Sequence, residues 1–190
     1  MDHLQHCRLM AQYNTWMNER LYEAAARLPA AELDRDRGAF FGSILGTLNH
    51  LVVTDLMWLR RFALHRRAGA ALAAEIGTPE QPVDVQRFPV GASLAAVVAE
   101  DLARLRSMRA DIDALTERWI ATLEPRDLDE PLAYRNSRGE PFLRSFGALL
   151  SHFFNHQTHH RGQATTLLFQ AGVDPGVTDL LPSIPALESR

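Results

Sequence analysis

The chain has 190 residues, 46% of them hydrophobic and 23% charged. That is the balance of one globular domain, 1–190, long enough to bury a core without disulfides or structural metals. The formal net charge of −3 argues against nucleic acid as a partner, because nucleic-acid binders present a basic stripe. All twenty basic residues are Arg, a composition bias with no functional content of its own. Cys7 is the single cysteine, so no intramolecular disulfide can form, which fits a reducing compartment. A redox or nucleophilic thiol is its functional reading, but no partner motif surrounds it, and it reads first as a small helix-face residue. No apolar run approaches the ~18 residues that cross a bilayer, and no signal peptide is visible. The expectation is a cytoplasmic protein with no membrane partner.

Four long segments have helical character. The first runs from about Asp2, a cap, to Leu28, with Leu9, Tyr13, Met17 and Leu21 near helical spacing and Pro29 beyond its end. The second runs from about Ser43 to His65. Arg60, Arg61, Arg66 and Arg67 crowd its end; they read as cations complementing the helix dipole, with an anion-binding lip as the rival reading. The stretch from about Arg66 to Ala92 is rich in Gly and Pro and reads as a long connection that bundles tolerate, or as part of a substrate mouth. The third helix is expected from about Ser93 to Leu123. Leu132–Arg144 reads as a small hairpin, its second strand confined to an edge by Pro141. The fourth helix is expected from about Ser145 to Ala171, with Gly172 as its stop and Pro175 following; the tail from Val173 to Arg190 reads as irregular. The fold class is therefore all-α, a four-helix bundle.

Four of the eight histidines crowd into nine positions of the last helix: His152, His156, His159 and His160. His156 and His160, four apart, share a stripe with Leu149, Phe153, Ala164, Leu167 and Ala171, which should face the interior. Two inward histidines at this spacing can reach one metal ion, and imidazole suits late first-row metals. His152 sits at the stripe's edge and is a further candidate ligand; His159 points away. A third ligand must come from another helix. His50 is the best candidate, yet it lies on the more polar side of its helix with Thr47, Thr54 and Arg61, and periodicity alone does not separate it from His65. A helix-capping role explains His65. His3 and His6 read as solvent-exposed.

Asn155-His156-Gln157-Thr158-His159-His160-Arg161-Gly162-Gln163 resembles the final-helix signature of the DinB/YfiT-like family. Tyr13-Asn14-Thr15-Trp16-Met17-Asn18 resembles its first-helix motif, and His50-Leu51 with Asp55 and Trp58 its second. The resemblance implies a bundle of up-down-down-up connectivity, often a homodimer. It also implies a divalent metal ion on His50, His156 and His160: zinc or nickel first, iron or manganese next. The wider superfamily includes transferases that use low-molecular-weight thiols.

Three neutral imidazoles leave a divalent ion its full charge and an open position, as in catalytic sites. Such an ion lowers the pKa of water or of a thiol. The expected function is thus a metal-dependent enzyme that activates a thiol or water against a small-molecule substrate, either thiol S-transferase-like or hydrolase-like. The alternative is a non-enzymatic, metal-binding stress-response bundle. Asp55 reads as a helix-face salt bridge first, with a hydrogen-bond acceptor behind the site or a general base as the rival readings. Asn155 and Gln163 are candidates for orienting the histidines. Arg161 reads as a solvated cation, with a hold on an anionic thiol or a substrate carboxylate as the rival reading, and Tyr13 and Trp16 as packing residues ahead of substrate-stacking ones.

Overall fold

The computed structural model describes residues 1–186; the end of the expected irregular tail, 187–190, lies outside the described residues. Helix α1 (His3–Ala25) opens with a reciprocal cap: Asp2 accepts from the Gln5 amide and the Gln5 side chain accepts from the Asp2 amide, each at 2.8 Å. The short α2 (Ala30–Asp34) follows. Helix α3 (Ile44–Phe62) is capped by Ser43, whose hydroxyl accepts from the Gly46 amide at 2.9 Å. The Gly- and Pro-rich connection contains one short helix, α4 (Ala70–Ile76).

Helix α5 (Leu102–Thr122) begins at an Asp101 cap and not at Ser93. The reason lies in α3. The Asn49 side-chain oxygen accepts from the amides of Val98 and Ala99 at 2.8 and 3.0 Å, and its amide group donates to the Ala99 carbonyl at 3.0 Å. These backbone groups are thereby taken from any helical ladder. After α6 (Pro125–Asp129) comes the expected hairpin, β1 (Pro131–Arg135) antiparallel to β2 (Pro141–Ser145), with Tyr134 opposite Phe142. Both prolines open their strands, where a missing donor does least harm. Helix α7 (Phe146–Gln170) ends at Gly172, which adopts φ +83°; the amides of Gly172 and Val173 reach back to the carbonyls of Phe169 and Leu168 at 3.0 Å.

Helices α1 and α3 each pack against both α5 and α7. Cross-links fix the pair directions. His3 meets Ser151 and Asn14 meets Arg161, so α1 and α7 run parallel. Arg8 meets the Leu123 carbonyl and Asn18 meets Asp113, so α1 and α5 run antiparallel. The core between them is filled by Leu21, Ile44, Leu48, Phe62, Trp119 and Phe146, each at 2% exposure or less. No helix among the described residues is long and apolar enough to cross a membrane.

Polar groups also run through this core. Arg109 on α5 lies 2.5 Å from Asp55 on α3 and 2.8 Å from Asp113 on its own helix. Asn18 on α1 donates to both Asp113 oxygens at 3.0 Å, and Gln157 on α7 donates to Asp55 at 2.8 Å. Burial pushes Asp113 up to about 6 and Asp55 upward as well, while Arg109 between them pulls both down. Replacing Arg109 with Met would strand two buried carboxylates, and removing one partner of a buried ion pair costs roughly 3–5 kcal/mol. Arg109→Met should therefore lose most of the protein's stability in urea denaturation, whereas Arg106→Met, at an exposed pair with Glu23, should lose little.

Candidate metal centre

α3 and α7 run antiparallel: His50 meets His160 near one end of the contact, and Trp58 meets His152 about two turns further on. The i, i+4 spacing on α7 then places His156 beside both, with ring centroids 5.3 Å from His50 and 4.4 Å from His160. One nitrogen from each of His50, His156 and His160 lies within 4.8 Å of the others. His50 is buried, while His156 and His160 are half-buried, so the nitrogens face one another at a place that solvent reaches.

Two of the rings are oriented from behind. His50 Nδ1 donates to the Leu94 carbonyl at 2.7 Å, and His160 Nδ1 donates to Gln163 Oε1 at 2.8 Å. A neutral imidazole carries one proton, so with both Nδ1 atoms protonated both Nε2 atoms present lone pairs. Those atoms lie 3.2 Å apart and cannot hydrogen-bond to each other. Two lone pairs at this distance repel unless a cation lies between them, and for tetrahedral nitrogen ligands at ~2.05 Å from zinc the N···N separation is ~3.3 Å. The donor set therefore fits a divalent ion.

The rings are also held neutral. Burial, together with the neighbouring histidines, pushes His156 down to about 3. Burial pushes His50 down to about 4, with His160 adding to the effect, and it lowers His160 as well. Phe41, in the loop before α3, stacks on His50 at 3.8 Å and meets His160 edge-on at 5.5 Å. The other face of the Phe41 loop, with Phe40, Leu28, Leu33, Ala95 and Leu102, lines an open cleft of about 1220 Å³.

The remaining candidates are placed as follows. His152 is exposed and stands next in line, its centroid 6.0 Å from that of His156, but it is outside the triad. His159 is exposed and contacts Gln163 at 3.4 Å. Asp55 faces the core in the Arg109 pair. Gln163 orients His160, whereas Asn155 is exposed and orients nothing in the triad. Arg161 is not solvated: it is 2% exposed, stacked over Tyr13 and bonded to Asn14. Tyr13 packs in the core and donates to the Thr178 carbonyl at 2.6 Å. His65 is buried, stacks on Phe146 at 4.2 Å and accepts from the Ala68 amide at 3.1 Å, a local turn bond. Cys7 is buried and its thiol is pushed up to about 11, which makes it inert. His3 is exposed and His6 half-buried. Sequence reasoning missed Phe41, Asn49 and the Leu94 carbonyl; Leu94, and the Val98 and Ala99 backbone that Asn49 holds, lie more than forty residues from His50 and Asn49, and no local pattern announces these pairings.

Such a centre, three histidines on two helices of a helical bundle, defines a class of candidate metalloproteins. The DinB family model matches residues 1–186, and the chain belongs to the DinB family. It is 29% identical over 170 residues to Protein DinB of Bacillus subtilis (strain 168), an alignment covering 88% of this chain and 87% of that protein.

The depressed histidines set an acid limit on the metal-free protein. The unfolded chain takes up these protons near the ordinary value of 6.5, and the folded chain only near 4 and 3. Stability is therefore complete above about pH 6.5 and falls as pH drops toward 4, since the unfolded state then binds more protons. Urea denaturation of metal-free protein across this window should show the decline, and His156→Phe should reduce it.

Proposed function

We propose that His50, His156 and His160 hold one divalent metal ion in a DinB-family enzyme that activates a thiol or water nucleophile against a small molecule. The observation that carries this reading is the pair of Nε2 lone pairs held 3.2 Å apart, each fixed by a hydrogen bond on the opposite side of its ring. When bound, the ion supplies Lewis acidity and lowers the pKa of the nucleophile. The chain's own residues would do the rest. The Leu94 carbonyl and Gln163 aim the rings, Phe41 covers one flank of the pair, and burial keeps all three imidazoles neutral for ligation. Zinc or nickel suits the all-nitrogen set, with iron or manganese next. The cross-links among the four long helices support the up-down-down-up connectivity, since the long connection from α3 must travel back along the bundle for α5 to run beside it in the same direction.

A second reading is a metal-binding stress-response bundle without catalysis. It is favoured by one observation: Asp55, the carboxylate nearest the triad in sequence, is locked by Arg109 and Gln157, which leaves no general base there. An enzyme would then rely on the ion alone to generate its nucleophile.

Elemental analysis of protein purified without a nickel column tests the centre. The wild type should carry about one equivalent of metal, and His50→Ala, His156→Ala and His160→Ala should each lose it. Retention in His50→Ala alone would move the third ligand to His152. An empty wild type after reconstitution with zinc, nickel and manganese would defeat the reading. Gln163→Leu, which removes the acceptor behind His160, should weaken zinc binding by about tenfold to a hundredfold in a chelator competition.

A further inference from the structure

Behind the loop that carries Phe41 lies the open cleft of about 1220 Å³. It is somewhat larger than the ~300–1,000 Å³ of common small-molecule sites. Three stretches of chain wall it: the turn after α1 together with α2, the Phe41 loop with the first turn of α3, and the irregular run that leads into α5. Apart from Ser43 and five charged side chains, the lining is carbon and backbone. The Ser43 hydroxyl is already taken by the Gly46 amide at 2.9 Å. Leu33 and Leu45 of the lining are buried, but Phe40 is 86% exposed and Val97 60%. A single exposed apolar side chain is ordinary. Two large ones on the walls of one concave apolar surface mark a place where something binds.

Charge selects among apolar ligands. Asp34, Asp36, Glu100 and Asp101 line the cleft against one cation, Arg106, which faces Glu23 outside the lining at 3.7 Å. None of the four carboxylates pairs with a cationic side chain among the described residues. Two have local work: Asp101 caps α5 through the Arg104 amide at 2.8 Å, and Asp36 accepts from the Gly38 amide at 2.9 Å. The N-terminal dipoles of α3 and α5, which open here, offset part of the negative charge. Asp34 and Glu100 are exposed and hold no side-chain hydrogen bond among the described residues, and Asp34 ends α2, where a helix dipole disfavours an anion. The cleft therefore suits an apolar molecule with a cationic end and works against one with an anionic end.

We infer that this cleft binds an amine with an apolar body, its hydrocarbon against Phe40, Phe41 and Val97 and its ammonium at the acidic rim of Asp34 and Glu100. The inference goes beyond the metal-centre reading and does not depend on it, since no histidine of the triad lines the cleft. Phe41 belongs to both places: it lines the cleft and stacks on His50 at 3.8 Å. A molecule seated in the cleft thus touches the ring that covers one flank of the triad.

Phenethylamine is the probe, with phenethyl alcohol as its neutral counterpart, phenylacetate as its anionic one and ethylamine as the cation without a ring. Each is titrated into metal-free, full-length protein and followed by NMR at the backbone amides of Gly42, Gly46 and Ala103. Phenethylamine should shift these amides and bind at least about threefold more tightly than the alcohol and about tenfold more tightly than the acid. Ethylamine should bind at least about tenfold more weakly than phenethylamine. Asp34→Asn combined with Glu100→Gln should bring amine and alcohol within about twofold of each other, and Phe40→Ser should weaken both. Acid binding as tight as that of the amine, an amine preference that survives the double variant, or shifts confined to residues outside the cleft overturns the inference. If the double variant does not fold, the wild-type ranking and the amide shifts decide. Sedimentation reads the rival occupant: a wild-type dimer that Phe40→Ser dissociates makes this face an interface between copies and overturns the small-molecule assignment. In His156→Ala amine binding should be unchanged while zinc uptake is lost, so failure of the cleft and failure of the metal centre are told apart.

Discussion

A chain of buried polar side chains joins all four long helices. Asn18 of α1 holds Asp113 of α5, Arg109 of α5 bridges Asp113 to Asp55 of α3, and Gln157 of α7 closes on Asp55. Each link is directional, and each member would be heavily penalised if left alone in this interior. Apolar packing tolerates small slips of one helix along another. A hydrogen-bonded ion pair does not, since a displacement of one residue would strand a charge. The network therefore acts as a register pin.

The candidate centre depends on that pin. Gln157 sits between His156 and His160 on α7, one residue round the helix from the first, and Asp55 sits five residues beyond His50 on α3. When Gln157 meets Asp55, the antiparallel run of the two helices brings His160 level with His50 and leaves His152 level with Trp58. The face of α7 that carries Gln157 and Arg161 is held in the core, and the adjoining face that carries His156 and His160 is thereby turned, half-buried, toward His50 of α3. The arrangement separates structural charge from chemical nitrogen: Arg109 and Gln157 hold Asp55 in the core, and although Asp55 pulls the proton affinity of His160 upward, burial outweighs it and the imidazole stays depressed.

Much of this was legible in the residues, and the limits have physical causes. Caps at Asp2 and Ser43, the stop at Gly172 and the paired His156 and His160 follow local rules, and all were readable. His50 was not decided by periodicity, because the polar side of α3 that argued against it is the side on which His50 meets the histidines of α7; only the resemblance selected it. The start of α5 was misread because Ser93 is a residue type that opens helices, while the contact that takes the following backbone out of a helix comes from Asn49, far away in sequence. Arg161 was misread as solvated for the same kind of reason: its partners Asn14 and Tyr13 lie on another helix. Local chemistry writes helix ends, and long-range pairing writes which polar residue is buried.

The two flanks of the triad are unlike. On one side Phe41 stacks on His50 at 3.8 Å and meets His160 edge-on, so that side of the nitrogens is covered by an apolar ring. On the other side His152 is exposed, stands next to His156 and packs on Trp58. A molecule that approaches the half-buried His156 and His160 therefore meets a carbon surface on one side and an exposed imidazole on the other, and the polar part of such a molecule is better placed on the His152 side, where its hydrogen-bonding groups find a partner.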